Sequence, residues 1–235
     1  MELVRRNVDV LVVDSLIWAA QRATTTIPIV MITVSDPVAD GFVAGLGRPG
    51  GNITGVAGMT PALNSKLLEL LKEAVPAVTR IAVLANPTAF GRGHTLKETR
   101  RAAWALDVQL HVLEARHPHD FERAFEAATQ AGDGALLILP SILFGLDRSR
   151  LAALADLAAA HRSPAIYWQR AFAEAGGLLA YGPNILDLPR RAAYYVDRIL
   201  KGAKPADLPV DRSTTFELVI NLKTKFWQGL DRTHK

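Results

Sequence analysis

The side chains of this chain that could take part in chemistry are small and polar, and each follows a short apolar run. They are Ser15, Asp36, Asn86, Thr88 and Ser141. Hydroxyl, amide and carboxylate groups at strand ends, together with the backbone N–H groups of a following helix, can hold a ligand carboxylate. Helix capping explains each residue taken alone, and this alternative stays open for Asp36 in particular. We predict that these five residues contact a small ligand.

Four aromatic residues fall at or just beyond the ends of predicted strands: Phe144, Tyr167, Trp168 and Tyr181. At such positions an apolar ring can stand in a ligand cleft instead of in the core. The alternative is that some of these rings only cover the edge of the sheet. We predict ligand contacts from all four.

Sequence motifs for catalysis, metals and cofactors are absent or misplaced. The chain has no cysteine, which excludes thiol catalysis, iron–sulfur clusters, zinc–thiolate sites and disulfides. The cluster His117-Pro118-His119-Asp120 has metal-like composition, but we interpret it as a turn in which Asp120 caps a helix. The motif GLGRPG at residues 45–50 follows a predicted helix and leads into a strand, the reverse of a dinucleotide-binding loop. We therefore predict no enzymatic activity, no metal and no cofactor.

The composition indicates a globular protein with a sizeable core, since 49% of its 235 residues are hydrophobic and 21% are charged. The net charge of +4 is mild and basic pairs such as Arg100-Arg101 are isolated, so no nucleic-acid partner is expected. Asp9 and Asp14 interrupt the first apolar run, which excludes a signal-peptide core there. No apolar span of about 20 residues follows. The chain as written therefore predicts a cytoplasmic protein.

Short β-rich runs alternate with amphipathic helices along nearly the whole chain, as is typical of parallel sheets covered by helices on both faces. Strands are predicted at 8–13, 29–34, 53–57, 81–85, 108–113, 135–139, 165–168, 178–181 and 216–220. One helix is predicted to follow Asp36, and another to begin at Thr95, which forms a capping box with Glu98. We predict an α/β fold of two Rossmann-like lobes, formed by residues 1–76 with 178–235 and by residues 77–177. The expected ligand site is a cleft between the lobes, lined by carboxyl ends of strands.

Several sequence blocks resemble the substrate-binding proteins of ABC transporters with the type I periplasmic-binding fold, specifically the group with tryptophan- and other aromatic amino-acid-binding members. The blocks are DPV at 36–38, RPGGNITG at 48–55, AYGPN at 180–184 and ILKGAKPADLP at 199–209. The resemblance covers residues 8–225 and implies two lobes that close around an amino acid or related carboxylate. It also implies delivery to a membrane permease, a periplasmic or extracellular location at the membrane, and no catalysis. Ser15, Asp36, Asn86, Ser141 and Tyr181 match positions where such proteins line the cleft.

The same resemblance implies that relatives are longer at the amino end, so that lobe 1 lacks a first strand–helix unit. A parallel sheet without that unit exposes a strand edge and an apolar surface, which favours a dimer. Two alternatives stay open. They are a cytosolic ligand-sensing protein or enzyme on the same architecture, and a non-functional fragment.

Overall fold

The computed structural model describes residues 2–14, 16–33, 35–58, 61–89, 91–145, 147–213 and 215–224. The chain divides into two compact units. Unit 1 comprises Met1–Thr60 and Pro183–Thr215, and unit 2 comprises Pro61–Gly182 and Phe216–Lys235. Each unit contains a β-sheet of its own.

The strands are β1 (Leu11–Asp14), β2 (Ile29–Thr33), β3 (Ile53–Ala57), β4 (Arg80–Ala85), β5 (Gln109–Glu114), β6 (Ala135–Ile138), β7 (Ala165–Tyr167), β8 (Leu179–Pro183), β9 (Asp211–Arg212) and β10 (Phe216–Ile220). The helices are α1 (Glu2–Arg5), α2 (Ile17–Ala23), α3 (Pro61–Ala74), α4 (Arg92–Ala105), α5 (Phe121–Gln130), α6 (Ile142–Gly145), α7 (Arg148–Ala160), α8 (Arg170–Glu174) and α9 (Asp187–Leu200). Short 3-10 turns occupy Pro118–Asp120 and Pro205–Asp207.

Unit 1 has a parallel sheet in the order β1-β2-β3-β9. Successive side chains of β2 enter opposite faces, because Ile29 and Met31 pack in one apolar cluster while Val30 packs in another. Helix α9 covers the second face with Leu188 and Ala192 among its buried residues. Burial on both faces explains why β2 is an uninterrupted apolar run in the sequence.

Unit 2 has six strands in the order β10-β8-β7-β6-β4-β5. The pairs that link β8 to β7, β7 to β6, β6 to β4 and β4 to β5 are all parallel, so the carboxyl ends of these five strands share one edge. Helix α3 packs against α4 and also contacts β6 and β7. Helix α7 is capped by Asp147, whose carboxylate accepts a hydrogen bond from the Arg150 backbone N–H at 3.0 Å.

The nine predicted strands are all present, each overlapping its predicted range, and the α/β class is confirmed. Strand β9 is not among the predicted strands, because a strand of two residues is too short to show an alternating pattern.

Two predicted helix starts are wrong. After Asp36 the chain makes one helical turn, in which the Asp40 N–H donates to the Asp36 carbonyl at 2.9 Å, and then continues as turns and bends. The glycines at 41, 45 and 47 disfavour a longer helix, each by roughly 1 kcal/mol relative to alanine. Helix α4 begins at Arg92, so Thr95 lies inside it and donates its N–H to the Gly91 carbonyl at 3.0 Å.

The units divide the chain at 60/61, 182/183 and 215/216, whereas the sequence analysis places the divisions at 76/77 and 177/178. Helix α3 joins unit 2 because it contacts β6 and β7. Strand β8 joins it because Leu179 and Ala180 pair with Ile166 and Tyr167 of β7.

Within the described ranges, the helices are all too short or too polar to cross a bilayer.

Candidate functional site

The carboxyl edge of the unit 2 sheet carries a concentration of polar side chains. Strand β4 ends at Ala85, β6 at Ile138 and β7 at Tyr167, and these parallel strands end on the same side of the sheet. The residues just beyond these ends include Asn86, Thr88, Ser141, Trp168 and Gln169. In open parallel sheets this edge is the usual place for ligands.

Asn86, Thr88 and Ser141 form one hydrogen-bonded cluster of three residues, which we call the Asn86–Ser141 group. Asn86 Nδ2 donates to Ser141 Oγ at 3.0 Å, and Thr88 Oγ1 donates to Asn86 Oδ1 at 2.8 Å. The Thr88 backbone N–H donates to the same oxygen at 3.0 Å. Ser141 Oγ also accepts from the Leu143 N–H at 3.2 Å, which fixes the hydroxyl at the start of α6. The structure therefore brings together three residues that the sequence analysis predicted separately.

Trp168 and Gln169 supply two buried N–H donors at the same edge. Their side chains are almost completely covered, with 6% and 7% of the residue exposed. Neither Trp168 Nε1 nor Gln169 Nε2 has a hydrogen-bond partner among the residues that the structure describes. A buried donor left unpaired costs about 1–3 kcal/mol, so an acceptor supplied by a ligand would remove a real penalty here.

Gly145 connects these donors to the Asn86–Ser141 group. Its N–H donates to the Ser141 carbonyl at 3.1 Å. A Cβ added to Gly145 would lie 2.8 Å from Gln169 Nε2 and 2.9 Å from Trp168 Cζ2. Helix α6 thus packs directly on the Trp168 and Gln169 side chains, and Ser141 lies at the start of the same helix.

Asn64 is a further buried polar residue on this side of unit 2. It is 4% exposed, and within the described ranges its Oδ1 atom has no hydrogen-bond partner. Helix α3 leads from its last turn into the amino end of β4, so its first turn, which contains Asn64, lies towards the carboxyl edge.

Asn64 and Gln169 are not among the site residues predicted from the sequence. A signal for Asn64 exists, because residue 64 falls at helical spacing on the same face as Leu67, Leu68 and Leu71, all fully buried. An amide within an apolar helix face indicates a site that must supply a hydrogen-bond partner, because buried polar groups are almost always hydrogen-bonded. Gln169 follows a predicted strand end directly, as the selected residues do.

The four predicted aromatic residues have different environments. Phe144 is fully buried, with its ring centroid 5.7 Å from that of Phe121. Tyr167 is also fully buried and stacks on Phe172 at 4.5 Å. Both rings pack inside unit 2, where burial raises the pKa of the Tyr167 phenol, and ligand contacts from these two residues stay predictions. Tyr181 is half-buried and stacks on Phe216 at 5.8 Å, and Trp168 contributes its indole N–H to the edge.

In unit 1, Asp36 stabilises a turn. Its Oδ1 accepts hydrogen bonds from the N–H groups of Val38 at 3.0 Å and Ala39 at 3.2 Å, which is the capping alternative. Its Oδ2 lies 3.9 Å from Arg212 Nη2. Ser15 lies outside the described residues. Ligand contacts from Asp36 and Ser15 stay predictions.

The His117–Asp120 cluster forms the predicted turn, but the predicted cap is wrong, because the Asp120 side chain bonds the preceding backbone and makes no capping hydrogen bond to α5. The Asp120 carboxylate accepts hydrogen bonds from the N–H groups of Arg116 at 2.8 Å and His117 at 3.0 Å, and these bonds lower the pKa of Asp120. In the described part of the chain, no group of three or more histidine, aspartate or glutamate side chains is arranged to hold a metal ion.

Comparison with known proteins supports the α/β fold described above. The family model for ABC transporter substrate-binding proteins matches residues 2–232. A curated relative, a tyrosine-binding protein of Clostridioides difficile, is 27% identical over 88% of this chain, and the chain spans 58% of that relative's length.

Two crystal structures are also similar. One is a conserved domain protein of Vibrio cholerae with 28% identity and a TM-score of 0.85, in which the match covers 93% of this chain and 73% of the other. The second is an ABC domain from Streptococcus pneumoniae in complex with L-Trp, with 24% identity, a TM-score of 0.87 and coverage of 97% and 76%. The second likeness shows the fold alone. Because the family model spans nearly the whole sequence, the chain belongs to the family of ABC transporter substrate-binding proteins.

Proposed function

We propose that this chain is the solute-binding component of an ABC transporter and that its ligand is an amino acid with an aromatic side chain. The observation that carries the proposal is the pair of buried, unpartnered N–H donors of Trp168 and Gln169, beside the Asn86–Ser141 group within the described part of unit 2. The tyrosine-binding relative supports the ligand class.

The chemistry of the edge suits a zwitterion. Trp168 Nε1 and Gln169 Nε2 can donate to a carboxylate, and hydrogen bonds to ionised groups contribute about 1.5–3 kcal/mol each. Asn64 Oδ1 is an acceptor that suits an ammonium group. Asn86, Thr88, Ser141 and Tyr181 complete the proposed contacts of unit 2, with Asp36 and Ser15 as those of unit 1. All of these groups bind and orient, so we propose reversible binding without catalysis.

The proposed partner is the membrane permease of the transporter, with the protein in the periplasm or outside the cell at the membrane. Binding and release require the ligand-bound and ligand-free forms to differ by only a few kcal/mol. An affinity in the micromolar range, about −8 kcal/mol, would be sufficient for this role.

We also propose that two copies of the chain pair through β1. This strand lies at the edge of the unit 1 sheet, and three apolar side chains on and near it are more than half exposed: Leu3, Val12 and Leu16. The open backbone groups of an edge strand can pair with the same strand of a second copy.

The ligand proposal is tested by calorimetric titration with a panel of the natural amino acids. We expect saturable binding of at least one aromatic amino acid. Trp168→Phe removes the indole donor and keeps a ring, and Gln169→Met removes the amide at similar size. Each change should weaken binding about 10- to 100-fold, the loss expected for one hydrogen bond to a charged group.

Matched controls are Trp18→Phe and Gln109→Met, which make the same changes at exposed positions of α2 and β5. These variants should bind as the wild type does. No binding across the panel by a folded protein would contradict the amino-acid ligand. Full binding by both Trp168→Phe and Gln169→Met would contradict the assignment of the site.

A further inference from the structure

Helix α4 of unit 2 presents a basic face with an exposed tryptophan. The helix packs through Leu96, Thr99, Ala102 and Ala103, all of which are buried. The opposite face is exposed, and its side chains are His94, Lys97, Arg100, Arg101 and Trp104. We call these five residues the α4 basic face. Its tryptophan is 86% exposed.

The charges of the α4 basic face are not neutralised locally. Within the described ranges, Lys97, Arg100 and Arg101 have no ion pair and no side-chain hydrogen bond. The nearest acidic groups along the chain are Glu98, which is half-buried on the helix flank, and Asp107, which is exposed beyond the helix end. The surface therefore carries three cations in two turns of helix, next to a large aromatic ring.

Trp104 differs from the other exposed aromatic residues on helices of this protein. Trp18 has the guanidinium of Arg22 at 5.9 Å from its ring, and Tyr194 has that of Arg198 at the same distance. Arg100 and Arg101 precede Trp104 by four and three residues, which is a spacing that permits contact. In the described part of the structure, however, no cation lies over the Trp104 ring. Both the indole and the two guanidinium groups are therefore available to a partner.

We propose that the α4 basic face binds the surface of an anionic phospholipid bilayer. Trp104 would lie at the headgroup level, where amphipathic indole rings are favoured, and Lys97, Arg100 and Arg101 would contact lipid phosphates. A bilayer suits this face better than a folded protein does. The cations lie on the exposed face of one helix, whereas protein interfaces anchor tryptophan and arginine in pockets within about 1,600 Å² of buried surface.

The test is co-sedimentation of the full chain with vesicles of phosphatidylcholine alone and of phosphatidylcholine with phosphatidylglycerol. We expect binding to the anionic vesicles only, and loss of binding at about 0.5 M salt because salt screens the attraction. Brominated acyl chains should quench the tryptophan emission of the bound wild type, and Trp104→Phe should remove that quenching while Trp18→Phe should keep it.

The double variant Arg100→Gln with Arg101→Gln should lower the partition coefficient about 30-fold, because each cation contributes about 1 kcal/mol at such a surface. The matched control Arg116→Gln with Arg148→Gln removes the same charge from exposed positions elsewhere in unit 2 and should change binding less than about twofold. Equal effects of the two double variants would overturn the proposal. Binding to polyglutamate without binding to anionic vesicles would also overturn it, in favour of an acidic protein partner.

Discussion

At the scale of single residues, Asp133 is a buried charge that joins two strands of unit 2. Its side chain is 1% exposed, and its two oxygens contact Arg80 Nε at 2.7 Å and His111 Nδ1 at 2.6 Å. Asp133→Asn keeps the volume but removes the charge and one acceptor oxygen. We expect the free energy of unfolding, measured by urea denaturation, to fall by about 2 kcal/mol.

The control for this prediction is Glu174→Gln, which removes the charge from the pair with Arg170. Both side chains of that pair are more than half exposed. An exposed ion pair contributes less than about 1 kcal/mol, so the control should change stability little. Similar losses in the two variants would show that burial of Asp133 does not determine its contribution.

Site residues could be predicted where the backbone alone places them. Asn86, Thr88 and Ser141 follow β4 and β6, and adjacent parallel strands bring such residues together whatever the details of packing. The direction of a side chain could not be predicted in the same way. Tyr167 and Trp168 are neighbours in sequence, yet both rings contact Phe172, with centroid distances of 4.5 and 6.4 Å, and no strand pattern reveals this.

At the scale of secondary-structure elements, the close approach of β2 and β3 depends on Gly55. This residue has a φ of +134°, and a Cβ built on it would lie 2.2 Å from the Met31 carbonyl oxygen. The neighbouring atom belongs to the backbone of β2 and cannot rotate away. Gly55→Ala should therefore destabilise the protein by about 3 kcal/mol or more, seen as a lower thermal midpoint or a loss of folded yield.

Gly93 in α4 is the matched position for this test. A Cβ there would meet no atom within 4 Å, and alanine is favoured over glycine within a helix. Gly93→Ala should raise stability by about 0.5–1 kcal/mol. A Gly55→Ala protein as stable as the wild type would show that β2 and β3 can separate without cost.

Strands were predicted more accurately than helix starts, and the segment from Asp36 to Gly47 shows why. The β2 pattern Ile29–Thr33 is set by burial on both faces, a strong signal that is repeated in every residue. Asp36 and Pro37 are good residues for a helix start, but they are equally good for a single turn. The glycines that follow disfavour the helix and so favour the single turn. The size of this effect depends on how the loop packs.

At the scale of the whole molecule, the alternation of strands and helices predicts two parallel sheets, and the family match agrees with that architecture. The boundaries of the units could not be predicted to the residue. Helix α3 and strand β8 each lie next to a crossing between units. The unit to which such an element belongs depends on its tertiary contacts, for example the pairing of Leu179 in β8 with Ile166 in β7. The sequence carries no local signal for such contacts.

The proposed pairing of two copies through β1 leads to a prediction for the whole molecule. Val12 lies on β1 and is 54% exposed, so Val12→Lys would place two like charges at the contact and prevent edge-to-edge pairing. Analytical ultracentrifugation should show a dimer for the wild type and a dissociation constant at least about tenfold higher for the variant. Leu218→Lys is the matched control, because Leu218 is 48% exposed on β10, an edge strand of the unit 2 sheet. The Leu218→Lys variant should leave the dimer intact, since the pairing involves unit 1. A wild type that sediments as a monomer at all concentrations would exclude the β1 contact.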